Sequence, residues 1–101
     1  MTEDRWPFSQ ARKTASFMTS EVLERREPIL LVLHDEDGEW QFIGSTDGTA
    51  ENCRLVCLQD AVEMDRSLLE LADLPIGWHA VRDSVESSWT READPDTTPV
   101  V

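Results

Sequence analysis

A chain of 101 residues, 40% of them apolar and only four of them Gly, can build a single domain around a thin core. Its net charge of −12, from 21 acids against 9 bases, argues against direct binding to nucleic acid or to an anionic membrane, both of which need a basic footprint. No run approaches the ~20 apolar residues of a membrane span, and the polar start of the chain lacks the basic and apolar regions of a signal peptide, so a cytoplasmic protein is expected.

In chain order, residues 1–13 are polar apart from Trp6, Phe8 and Ala11 and read as an arm pinned by the two aromatic rings. Residues 14–19 form a short, mixed strand candidate. Thr19 or Ser20 is placed to cap a short helix, with Glu21 in its first turn and Val22 and Leu23 facing inward. Pro28 is expected to end that helix. Ile29 to His34 is apolar in both alternating sets, the pattern of a strand interior to its sheet. Asp37-Gly38 marks a hairpin turn, and Trp40 to Ile43 reads as the returning strand.

Gly44 to Asn52 reads as a loop and Arg54 to Leu58 as the next strand. Asp60 is expected to cap a turn over Ala61, Val62 and Met64. Ser67 and Glu70 match a capping box, with Leu68, Leu69 and Leu71 buried behind it. Trp78 to Arg82 is the last strand candidate. Two prolines and two threonines in the final eight residues suggest a disordered tail. The order predicts an α+β domain over residues 14–92: a small, mainly antiparallel sheet with a central hairpin and two or three short helices, between the arm and a tail at 93–101.

The run from Pro28 through Leu33, His34, Asp35, Glu36, Asp37, Gly38, Glu39, Trp40 and Phe42 to Ile43 resembles small bacterial domains of unknown function, some of them grouped with immunity proteins of polymorphic toxin systems. The run from Leu68 through Leu74-Pro75-Ile76-Gly77-Trp78-His79 to Ala80, with Arg82 and Trp89, resembles the C-terminal half of the same family. The resemblance spans roughly residues 14 to 92. It implies a small cytosolic protein that binds and blocks a toxin, and it carries over no catalytic motif.

Chemistry-bearing residues are few. Asp35, Glu36, Asp37 and Glu39 could in principle hold a hard cation, but Gly38 falls at the wrong position for a calcium loop. Cys53 and Cys57 would lie ~13 Å apart along a strand, too far for a disulfide, and are expected to be reduced and buried. They lack the spacing of a zinc pair, and His34 and His79 each stand alone. No glycine-rich phosphate loop or nucleophile elbow occurs. No enzyme activity, metal or cofactor is therefore expected.

Residues 35–65 hold nine acids and one base, Arg54, so this segment would build most of any charged face. Four tryptophans supply core or interface rings. The partner-binding candidates are Asp35, Glu36, Asp37, Glu39, Asp47, Glu51, Asp60, Glu63, Asp65 and Trp89, which would meet a basic protein surface. The expected function is thus a non-enzymatic protein-binding domain, with a small ligand-binding or enzymatic domain and a self-associating module as alternatives.

Overall fold

In the computed structural model, described here for residues 6–44 and 53–93, a six-stranded sheet is covered on one side by short helices. The chain runs through β1 (Ala15–Thr19), α1 (Ser20–Leu23), β2 (Leu31–His34), β3 (Trp40–Ile43), β4 (Cys53–Cys57), α2 (Leu58–Met64), a 3-10 helix (Arg66–Leu71), β5 (Trp78–Val81) and β6 (Thr90–Ala93). The strands lie in the order β4-β1-β3-β2-β5-β6. Every neighbouring pair is antiparallel except β1 with β3. The fold is α+β, and none of the described helices is long and apolar enough to cross a membrane.

Register and side-chain alternation divide the sheet into two sides. One cross-strand row runs Arg54, Met18, Phe42, Val32, Ala80, Arg91. Its four inner members are at most 1% exposed and form the floor of the core. Leu58, Ala61 and Val62 of α2 cover this floor, with Leu68 and Leu71 of the 3-10 helix, Leu74, and Val22 of α1. Phe8 is also in the core, and Trp6 packs against its margin. Ring contacts run from Trp6 to Phe8, tilted at 5.1 Å, and from Phe8 edge-on to Trp40 at 5.4 Å, and His34 lies flat on Trp40 at 3.9 Å between centroids. Trp6 and Phe8 therefore tie this part of the chain to the core.

Several local expectations are revised. The helix α1 ends at Leu23, before Pro28 can act. Arg25 stands at φ 65, its N–H donates to Val22 O, and Arg26 N–H donates to Glu21 O. This is a Schellman turn with arginine where glycine is usual. Neither Thr19 nor Cys57 caps its helix with a side chain. Helix α2 starts two residues before Asp60, which lies in its first turn. The 3-10 helix is capped by Asp65, whose carboxylate accepts from Ser67 N–H, so Ser67 is inside the helix and does not head a capping box.

Strand β4 begins at Cys53, one residue earlier than expected, and β5 ends at Val81. The polar segment Thr90–Ala93 forms an edge strand that carries the domain to residue 93, into the expected tail. The cysteines are free but only half-buried, because β4 is the opposite edge strand. The expected loop at 45–52 and the tail beyond 93 lie outside the described residues.

Candidate partner-binding face

The second row of the sheet runs Leu55, Phe17, Gln41, Leu33, His79, Glu92, one residue from each strand. None of the six is buried, and Leu55 is 66% exposed. Leu31 and Val81 extend the apolar strip on the same side. The side closes only at the corner of Thr19 and Ile43, both buried. Along the row it is open.

Among the strand positions on this side the one formal charge is that of Glu92. These positions carry no Lys or Arg. Glu92 lies at one end, beside His79, with 3.7 Å between Oε1 and Nε2. Asp35 lies at the turn between β2 and β3, on the open side because its Oδ2 accepts from Gln41 Nε2 at 3.2 Å. Its Oδ1 accepts from the N–H groups of Asp37 and Glu39, each at 3.0 Å. This side-chain turn, with Gly38 at φ +85, lets the chain reverse tightly and holds Glu36, Asp37 and Glu39 exposed. Carboxylates thus lie at the Glu92 end of the row and at the β2–β3 turn beside its middle.

Of the other candidates, Asp47 and Glu51 lie outside the described residues. Asp60 and Glu63 are exposed on α2, in the layer that covers the opposite side. Asp65 is committed internally. Its Oδ2 accepts from Arg82 Nη2 at 2.6 Å, and its Oδ1 accepts from Ser67 Oγ at 2.8 Å.

Arg82 is a buried cation with every guanidinium nitrogen hydrogen-bonded. Its side chain is 2% exposed. Nε and Nη2 both donate to Ile29 O, and Nη1 donates to Ser67 Oγ. The Trp89 ring lies over the guanidinium at 4.2 Å, and its Nε1 also donates to Ser67 Oγ. Trp89 is therefore a lid on a buried ion pair, with its only N–H engaged. Ser67 Oγ gives its proton to Asp65 and has both lone pairs filled, which leaves none for nucleophilic attack.

A cleft of about 320 Å³ opens beside this pair, lined by Val22, Arg25, Glu27, Ile29, Met64 and Val85 among others. Its lining holds no serine, cysteine or histidine. His34 is buried on the core side, where its Nδ1 donates to Leu74 O at 2.7 Å and so belongs to the packing. Among the described residues no three His, Cys, Asp or Glu side chains gather as a metal site.

No protein-family model matches this sequence, and no curated protein or solved structure is found to be similar to it.

Proposed function

We infer that the protein is a non-enzymatic protein-binding domain of the immunity type, whose open sheet side takes a basic partner and neutralises it by covering it. The observation that carries this reading is the apolar strip of Leu55, Phe17, Leu31, Leu33 and Val81 along the open side, whose strand positions carry no Lys or Arg, with Glu92 at one end and Asp35 and Glu39 at the β2–β3 turn. Such a side favours a partner that brings apolar anchors ringed by Lys and Arg. The acids would speed and orient the encounter, and burial of Phe17, Leu31 and Leu33 would hold it. The resemblance to immunity domains supplies the neutralising role. Asp60 and Glu63 belong to the opposite layer and stay outside the contact.

Affinity capture from the source cell's lysate tests this, with wild type beside Leu33→Lys/Glu92→Lys and Asp60→Lys/Glu63→Lys. One basic protein should be held by wild type and by the α2 variant, lost by the sheet variant, and released as salt rises. Equal retention by the two variants would sink the assignment to the open side. Capture of nothing by wild type would remove the stable-partner reading.

A further inference from the structure

The edge strand β4 has features that a protein partner for the open side does not use. Leu58 N–H donates to Thr14 O at 2.8 Å, and Val56 O accepts from Ser16 Oγ at 3.1 Å. These bonds set the phase of the antiparallel β1–β4 ladder. Arg54, Val56 and Leu58 turn their backbone polar groups towards β1, so Cys53, Leu55 and Cys57 turn theirs outward, away from the sheet. Among the described residues no strand pairs with β4 on that outer side. Edges of this kind are usually blunted by proline, a bulge or inward-pointing charge. Strand β4 has no proline, pairs with β1 without a bulge over all five residues, carries one charged residue, Arg54, and presents exposed Leu55 at its centre.

Two further properties favour a second copy of this chain as the occupant. The sequence Cys53-Arg54-Leu55-Val56-Cys57 places a cysteine two residues to either side of Leu55, so a two-fold at Leu55 sets cysteine against cysteine and Arg54 against Val56. In a chain of net charge −12, β4 carries one base and no acid. The other edge strand, β6, carries Glu92, and its Arg91 is already bound to Asp73 and to Glu70 O. Two copies therefore repel least when they meet at β4.

We propose that the protein self-associates through β4, two copies pairing antiparallel about a two-fold axis at Leu55. The register sets Leu55 against Leu55 of the second copy and Cys53 against its Cys57. All outward N–H and C=O groups of the strand then find partners. The axis stands across the sheet, so both open sides face the same way and form one surface with Phe17 and Leu55 of each copy at its centre. The contact is small and belongs to the weak class of interfaces. It does not depend on the partner reading above.

The register provides its own test. Directly opposed residues of a hydrogen-bonded antiparallel pair have Cα atoms about 5.5 Å apart, within reach of a disulfide. Copper–phenanthroline with dissolved oxygen removes two electrons and two protons per bond, joining Cys53 of one copy to Cys57 of the other. Wild type should yield a covalent dimer. Cys53→Ser and Cys57→Ser should each yield none alone, because each leaves every remaining thiol facing a serine. Mixed in equal amounts, the two variants should cross-link again. Light scattering from about 1 µM to about 1 mM, the range a weak interface requires, should show the mass rising towards twice the monomer. Leu55→Lys, at a position already exposed, should remain monomeric. A monomer at every concentration, single variants that cross-link like wild type, or a dimer that survives Leu55→Lys would each overturn the proposal.

Discussion

Arg25 and Arg82 show two ways in which a single arginine shapes this fold. Arg25 occupies a left-handed backbone position that costs a side-chain-bearing residue about 1 kcal/mol. Arg25→Gly should therefore raise stability, by about 0.5 kcal/mol once the freer unfolded chain is counted, readable as a higher denaturant midpoint at unchanged slope. Arg82 is held at all three guanidinium nitrogens. Asp65→Ala would strip its counter-charge while leaving it buried, and should cost about 3 kcal/mol in urea unfolding. Asp73 is a surface counterpart. Its hydrogen bond from the Arg91 side chain, helped by that side chain's charge, holds the carboxyl below the usual aspartate range. The ion pair thus supports the fold above the unfolded-state pKa and fades as pH falls through the lowered folded value. Carboxyl NMR titration should place the Asp73 midpoint below that of an ordinary aspartate, and Arg91→Gln should return it.

At the scale of elements, legibility followed how local the signal was. Strand β2 was readable because both its faces are apolar, and the reversal at Asp37-Gly38 because a positive φ favours glycine. Strand β6 was not readable. Thr90-Arg91-Glu92-Ala93 is a polar edge whose strand character comes only from pairing with β5. The adjacency of β1 and β3 was equally hidden, since no periodicity within one segment specifies a neighbour from another. The acids from 35 to 65 look like one patch in sequence. The sheet separates them, with Asp35 on the open side, Asp60 and Glu63 on the covering helix, and Asp65 on an arginine. Arg82 and Trp89 had one available sign, an arginine directly after an apolar strand with an isolated tryptophan nearby. The close approach of α1 to the end of β3 was invisible. A Cβ placed on Gly44 would come within 2.9 Å of Val22 Cγ2 and collide with Glu27. Gly44→Ala should therefore cost about 1–3 kcal/mol, as overpacking does, in the same urea assay.

For the whole molecule, the sheet is a partition. One side is covered by α2, the 3-10 helix, Phe8 and Trp6, and the other is left uncovered along the row from Leu55 to Glu92. The covered side accounts for stability, and the open side has the chemistry of a contact surface. Carboxylates at the Glu92 end of the row and at the β2–β3 turn beside its middle keep an apolar strip hydrated without covering it.

The place of β1 between β3 and β4 has a consequence for how the protein could be shortened. Among the described residues β4 has no sheet neighbour other than β1. Removing residues 1–19 would thus delete one strand and orphan a second, leaving four strands and taking Phe8 and Met18 out of the core. Such a fragment should lose its cooperative thermal transition by circular dichroism. Trimming the chain after Val81 should remove only β6 from the sheet, together with the Arg82–Trp89 lid. The beginning of the chain is where the architecture is least divisible, although the chain emerges there long before its partner strands are made.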